Sequence, residues 1–250
     1  MPQVISEETI GQLRRTDTPT VCNVVEMCGL QPHTDGYMNE SIKSMFPDLP
    51  PAVGFAVTYT VRTDVPLHNG DYMAQVCNIL EQFAAVQGPP VMVIQCVDET
   101  PASALFGDLI CGAFQTFGAA GLVCNGPGRD LDVVRKTDFP VFCTGINPAH
   151  GWPQIVDVNV PVKVGGARVL PGDLIHADGN GVTTIPIQVA DVVARHCPAF
   201  TAAEKVQQDF FASADKPSIE DYAKARGESQ RLAGDIAASI KRDVVALSAR

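Results

Sequence analysis

Hydrophobic positions along this chain change period several times, and each change marks an element. Val53-Gly-Phe-Ala-Val-Thr-Tyr-Thr-Val61 alternates and is rich in β-branched residues, which predicts a strand. Met73, Val76, Ile79, Leu80 and Phe83 recur at helical spacing, so a helix opened by Asn69-Gly-Asp71 is expected to run to about residue 86. Gly88-Pro-Pro90 then breaks the chain. Residues 91–97 form an apolar run interrupted only by Gln95, as in a strand buried on both faces. A helix over 109–117 follows Gly107-Asp108, and Gly121-Leu-Val-Cys-Asn125 reads as a second short buried strand. Gly126-Pro-Gly-Arg-Asp130 is a turn, residues 131–136 make one or two helical turns, and Phe139-Pro-Val-Phe-Cys143 is a third strand. The order is β-α-β-α-β.

The flanks differ in character. Ser6 before Glu7 and Glu8 has the form of a helix start, and Asp17-Thr-Pro19 that of a second. Residues 31–53 are punctuated by Pro and Gly and are expected to loop. Val158, Val160, Val162 and Val164 alternate with polar residues and Pro before a Gly165-Gly166 hairpin turn. Short strands and turns continue through Pro171-Gly-Asp173 and Asp178-Gly-Asn-Gly181 to about Pro186, and a helix over 189–196 closes the domain. From Pro198 onward the chain is polar with helical spacing, broken at Lys216-Pro217. This divides the chain into a core domain, 1–198, and a helical extension, 199–250.

Composition narrows the class. The chain has 250 residues and is 46% hydrophobic, enough to bury a sizeable core. A formal net charge of −10 leaves no clustered basic footprint for nucleic acid. No apolar run approaches the roughly 20 residues of a membrane span, and the first residues have no apolar signal region. The eight cysteines include no C-x-x-C pair and mostly sit in apolar stretches, the pattern of buried reduced thiols. A cytoplasmic protein is expected.

The β-α-β order gives chemistry a location. Loops that follow parallel strands emerge at one sheet edge, where ligands of such sheets bind. Asp108 follows one strand, and Arg129 and Asp130 follow the next. The spacing D-x20-R-D is thus one helix plus one strand. Two carboxylates are hard ligands suited to Mg²⁺ or Mn²⁺. The Arg129 fork matches a carboxylate. The Leu109 and Ile110 amides, opening a helix beside Gly107, can take an anionic oxygen. Each Asp taken singly is equally well a helix cap, with Arg129 as an ion-pair partner.

At these residues the sequence resembles the RraA-like family, which includes class II 4-hydroxy-4-methyl-2-oxoglutarate/4-carboxy-4-hydroxy-2-oxoadipate aldolases. The matching motifs are Gly107-Asp-Leu-Ile110, Gly121-Leu-Val-Cys-Asn-Gly-Pro-Gly-Arg-Asp130, Asp138-Phe-Pro-Val-Phe142, Val158-Asn-Val-Pro-Val162, Gly165-Gly166, Pro171-Gly-Asp173 and Asp178-Gly-Asn-Gly-Val182. They cover roughly residues 50–190. The D-x20-R-D part is what the family's aldolases have and its ribonuclease-inhibiting branch lacks. The resemblance implies an α/β fold with a swivelling-type β/β/α core, and homotrimers or homohexamers with the site at a subunit interface. It implies that Asp130 binds the metal, directly or through water, that Asp108 holds metal-bound water which moves the C4-hydroxyl proton, and that Arg129 binds the pyruvyl carboxylate or the C2 oxygen with the Leu109 and Ile110 amides. A neighbour's acid completes the metal shell in the aldolases. Glu204 is the match here, on a helix that Pro198 is expected to interrupt.

The activity so implied is metal-dependent cleavage of a 4-hydroxy-2-keto acid to pyruvate through an enolate, with oxaloacetate decarboxylation at the same site. Alternatives are a non-catalytic regulator of ribonuclease activity and a lyase or tautomerase acting on another sugar-derived keto acid. Residues 31–50, 63–69 and 147–152 depart from the family pattern and could line a different pocket. Among the histidines, His68 and His150, the latter beside Trp152, are candidate substrate contacts but read more simply as loop residues. His176 reads as structural, and His33 and His196 carry no signal. No H-x3-H spacing, dinucleotide fingerprint or G-x-S-x-G motif is present.

Overall fold

The computed structural model describes residues 4–66, 72–213, 216 and 218–248, with the side chains of 72–74 and 248 excepted. Two capped helices open it. Ser6 Oγ accepts from Thr9 N ahead of α1 (Glu7–Leu13), and Asp17 accepts from Thr20 N ahead of α2 (Thr18–Cys28), which ends on left-handed Gly29. The segment after α2 is loop apart from β1 (Lys43–Ser44). The alternating run is β2 (Ala52–Arg62), and the helix after it is α3 (Tyr72–Glu81), extended by a 3₁₀ turn at Gln82–Ala85. Its expected opening at Asn69-Gly-Asp71, His68 and the Met73 side chain lie outside the described residues.

The β-α-β-α-β order is present: β3 (Pro90–Cys96), α4 (Asp108–Thr116), β4 (Gly121–Cys124), α5 (Leu131–Arg135) and β5 (Val141–Cys143). β2, β3, β4 and β5 are parallel neighbours. β2 is long enough to serve two partners on its other edge. Its start pairs antiparallel with β9 (Leu174–Asp178), and its end with β6 (Gln154–Val158). β10 (Gly181–Ile185) closes the sheet beyond β9.

The apolar run of β3 follows from two covered faces. Met92, Ile94 and Cys96 point to the side packed by α3, α4 and α5, with Ile79, Cys111, Phe114 and Val134. Val91 and Val93 point to the other side. There the hairpin of β7 (Val162–Val164) and β8 (Ala167–Val169) lays Val162, Val164, Ala167 and Val169 against the sheet. These are the β/β/α layers. A third cluster joins α1, α2 and α6 (Ala190–Ser213) to Val53, Phe55 and Leu174.

Two local readings change. The alternation from Val158 to Val164 is not one strand. Asn159 sits at φ 59° and Pro161 has no N–H, so the ladder ends and the chain passes from the main sheet to the hairpin. Pro198 does not interrupt its helix, because α6 runs through it to Ser213. An interior proline costs about 3 kcal/mol. Val193, Ala194, Cys197, Phe200 and Ala203 are all buried along this stretch, and their packing outweighs that cost. The expected boundary at 198/199 therefore falls inside α6, and α7 (Ile219–Ser248) follows, tied back by Asp243 Oδ2 at 2.9 Å from His196 Nε2.

His176 is fully buried in β9. Thr18 Oγ1 lies 2.9 Å from its Nδ1 and the Leu13 carbonyl 3.0 Å from its Nε2, so the ring ties α1 and α2 to the sheet. Burial pushes its pKa below the ordinary 6.5, and the ring folds neutral. The unfolded chain takes up a proton here near pH 6.5, while the folded chain does so only at lower pH. Stability from this group is therefore complete above about 6.5 and falls as pH drops below it, by up to about 1.4 kcal/mol per pH unit. Urea midpoints at pH 5 and pH 7 should differ in that direction. The His176→Gln variant should lose this part of the slope, and an unchanged slope would refute the assignment.

Candidate functional site

Three loops leave the carboxyl ends of β3, β4 and β5, and backbone hydrogen bonds join them into one surface. Leu105 N donates to Pro127 O at 2.8 Å, Arg129 N to Phe106 O at 3.0 Å, and Gly128 N to Gly145 O at 3.0 Å. Phe106 and Gly128 bridge in parallel register, as do Gly128 and Ile146. A methyl group on Gly126 would stand 2.5 Å from Leu105 Cδ1, and one on Gly128 would enter the Phe106 ring. The turn glycines are therefore what allows the β4 loop to lie against the β3 loop.

This zipper carries out the convergence expected from D-x20-R-D. Gly107 lies so close to the next loop that a methyl group there would be 2.7 Å from Asp130 Oδ2 and 3.2 Å from Arg129 Nε. Arg129 Nε and Asp130 Oδ2 are 3.3 Å apart, with side chains 34% and 41% exposed. Asp108 opens α4 beside them, and its Oδ1 accepts from Leu109 N at 2.9 Å.

The capping alternative divides between the two acids. Asp108 does hold a first-turn amide and favours the helix N-terminus by charge. Asp130 is in the left-handed region at φ 55° and makes no side-chain cap bond to α5. A cap residue is normally extended. A left-handed non-glycine residue costs of order 1–3 kcal/mol, and capping does not repay it here. Its carboxylate is left facing Gly107 and Arg129.

The remaining sequence candidates fall as follows. The Leu109 amide is engaged by Asp108, and the Leu109 side chain is 81% exposed. Glu204 is half-buried on α6, and its carboxyl is pushed up by burial and then by Asp17. Asp17 caps α2, whose Thr18 N donates to Asp178 Oδ2 at the end of β9. That end of β9 lies beside Ala52, where β2 begins. Glu204 therefore stands at the sheet edge opposite to Asp108, Arg129 and Asp130 of its own chain. Among the described residues no cluster of three or more His, Cys, Asp or Glu is placed to hold a metal.

His150 lines a small pocket together with Arg129, Gly107, Ile110 and Phe106. Periodicity could not find it, because the 145–153 loop reaches Arg129 through the three-loop zipper. His150 was a sequence candidate, whereas Asn125 was missed. It clips β4 to β3, accepting from Cys96 N at 2.6 Å and donating to Cys96 O at 3.1 Å. A polar residue at the end of an apolar strand was its signal. Trp152 is exposed, with its amide on Thr63 O. His33 pairs with Glu26 at the surface.

A larger cavity of about 500 Å³ opens at the opposite edge, between Arg14, Arg15, Asp17, Asp178 and Asn180. Its acids are committed to local amides. Asp17 holds Thr20, and Asp178 holds Thr18 and Asn180.

Cysteines at the ends of β3, β4 and β5 share a device. The thiols of Cys96, Cys124 and Cys143 each donate two residues onward, to Asp98 Oδ2, Gly126 O and Gly145 O. Burial pushes the Cys96 thiol up to about 11 and raises the other two, so all three stay protonated donors beneath the loops.

Comparison with known proteins agrees with this architecture. A protein of Halalkalibacterium halodurans with the provisional name 4-hydroxy-4-methyl-2-oxoglutarate aldolase is 35% identical over 123 residues, covering 49% of this chain and 56% of that protein. An Azotobacter vinelandii protein with the same provisional name is 38% identical over 84 residues, 33% of this chain and 52% of its own. The chain thus spans about half the length of the curated relatives it matches. An uncharacterized Pseudomonas syringae protein has the same fold, with a TM-score of 0.69 at 24% identity over 90% of this chain and 96% of that one. So does Streptomyces coelicolor RraAS2, described as an unusual member of the RNase ES inhibitor RraA protein family, with a TM-score of 0.61 at 23% identity over 84% of this chain and 98% of that one. No helix among the described residues is long and apolar enough to cross a membrane. Residues 18–184, most of the chain, match the family model described as Aldolase/RraA, and the chain belongs to the RraA-like family.

Proposed function

We propose that this protein is a divalent-metal-dependent lyase that cleaves a 4-hydroxy-2-keto acid and releases pyruvate, with oxaloacetate decarboxylation as a side activity. The observation that carries the reading is Asp130, held left-handed with no capping task, against Arg129 and Gly107. The donor set fits a hard cation. Asp130 and Asp108 offer carboxylate oxygens, and Asp130 is exposed enough to keep water and substrate in the remaining positions. They would hold Mg²⁺ or Mn²⁺, which when bound supplies Lewis-acid polarisation of the 2-keto oxygen.

The chain's own residues do the rest. Arg129 takes the substrate carboxylate through its planar fork and fixes the cleaved C3–C4 bond beside the acids. Ile110 N, at the start of α4, adds a donor for the same anionic group, with Leu109 N shared with Asp108. Asp108 accepts the C4-hydroxyl proton, so that C4 leaves as a carbonyl compound and C3 keeps the electron pair, and return of that proton to C3 completes pyruvate. The names of the aldolase relatives support this class of reaction.

Subunit assembly belongs to the same reading. Two carboxylates make a sparse donor set, and Glu204 stands at the far edge of its own chain. Leu109, Ile146 and Trp152 are exposed around the site. A trimer, or a hexamer of two trimers, would bring Glu204 of one copy to the site of the next, with the helices beyond residue 198 forming the contacts.

The test is pyruvate release. Protein with Mn²⁺ or Mg²⁺ should liberate pyruvate from a 4-hydroxy-2-keto diacid and accelerate oxaloacetate decarboxylation above the buffer rate. Chelation should lower both at least 100-fold, and re-addition of metal should restore them. Metal-replete protein that does neither, yet retains a ribonuclease in a pull-down, would replace this reading with the regulatory one.

A further inference from the structure

The lyase reading gives tasks to Asp108, Arg129 and Asp130 and leaves His150 without one. Its loop is nevertheless firmly built. Gly145 O accepts from Gly128 N, Asn147 N donates to Gly128 O, Ala104 N donates to Ala149 O and Trp152 N donates to Thr63 O, all at 3.0–3.1 Å. Asn147 Oδ1 also takes Ala149 N at 2.8 Å. Gly151 has φ 54°, and any side chain there would collide with the buried Ser103 Oγ. Only glycine lets the chain descend at that point. The backbone is thus pinned on both sides of His150, at Ala149 to the loop after β3 and at Trp152 to the residue after β2.

The ring is oriented too. Its Nδ1 lies 3.3 Å from the Gly151 carbonyl, which puts a proton on Nδ1 and leaves Nε2 for another partner. Arg129 and His150 share a pocket whose walls include Phe106, Ile110 and Pro153. A short 2-keto acid has one carboxylate at C1, and Arg129 takes it. With C1 anchored at Arg129, the rest of the pocket is the space left for the fragment beyond C3.

We propose that His150 contacts this second fragment and selects substrates that carry an oxygen function there over substrates ending in a methyl group. Nε2 accepts from a hydroxyl when the ring is neutral and donates to a carboxylate when it is protonated. The apolar walls accommodate the carbons between the two polar contacts but do not reward a polar end. A site built to hydrogen-bond an oxygen rejects the analogue without it far more strongly than an apolar pocket discriminates by size. The inference rests on Arg129 as the keto-acid anchor.

Binding separates the two ideas without requiring turnover. Protein with Mn²⁺ is titrated by calorimetry with 2-oxoglutarate and with 2-oxopentanoate, which share the keto acid and differ in the far carboxylate. With the imidazole protonated at acidic pH, the wild type should prefer 2-oxoglutarate by about 10-fold or more, a size typical of one hydrogen bond to a charged group, and it should lose that preference as the ring becomes neutral. His150→Leu should erase that preference through 2-oxoglutarate alone, and His150→Gln, which can still donate, should keep part of it. Arg129→Ala should weaken both ligands. A preference that survives in His150→Leu, or a wild type without one, overturns the role of His150 while leaving the lyase reading standing. A wild type that binds neither keto acid overturns both.

Discussion

Arg129→Ala is expected to lower kcat/KM for pyruvate release by about 100- to 1,000-fold, the usual effect of deleting one donor from a charge-stabilising site. The loss has two sources. The substrate carboxylate loses its fork, and Asp130 loses the guanidinium 3.3 Å from its Oδ2. Arg129→Lys should recover little, because an ammonium cannot offer the paired planar donors. The fold should hardly notice. Both side chains are more than a third exposed, and a screened pair of this kind is worth about 0–1 kcal/mol. The informative measurement is therefore a pair: steady-state pyruvate release together with a urea midpoint. An Arg129→Ala protein that is folded and fully active would remove Arg129 from the site.

That prediction uses only residues that the sequence singled out, and the reason is physical. Strand period, a helix start and a glycine turn are local signals, and together they required Asp108 and Arg129 to meet at one edge. β3 and β4 then pair in parallel as the pattern demands. That β3 is covered on both sides was legible from its apolar run, while the β/β/α layering was an expectation of the family resemblance.

What stayed hidden depends on contacts between distant segments. His150 meets Arg129 only because Gly128 is in register with both Phe106 and Ile146. The division of Val158 to Val164 between two sheets hangs on the left-handed backbone of Asn159, which a valine alternation does not reveal. Pro198 misled because propensity was weighed without packing. Its helix buries Cys197 and Phe200 on either side of it. Asp130 shows the opposite case. As a letter it is an ordinary cap, and only its φ of 55° shows that the chain spends strain to aim it elsewhere.

Gly107→Ala should separate activity from stability more sharply than any change at a charged residue. The position has φ −147° and ψ −167°, extended backbone that alanine adopts freely. Replacing glycine at a helix N-cap costs a few tenths to about 1 kcal/mol, partly offset by the reduced freedom of the unfolded chain. The midpoint should therefore move little. Activity should not survive. The new methyl would lie 2.7 Å from Asp130 Oδ2 and 3.2 Å from Arg129 Cγ and Nε, so both groups must shift. A displacement of about 1 Å at reacting groups costs on the order of 100-fold in rate. Gly128→Ala is the counterpart. There the methyl enters the ring of Phe106, which is 2% exposed and cannot swing into solvent. Overpacking of this kind destabilises by about 1–3 kcal/mol, so Gly128→Ala should lose stability and activity together. If Gly107→Ala instead keeps more than half of the wild-type rate, the close approach of Asp130 and Arg129 to Gly107 is not what the chemistry depends on.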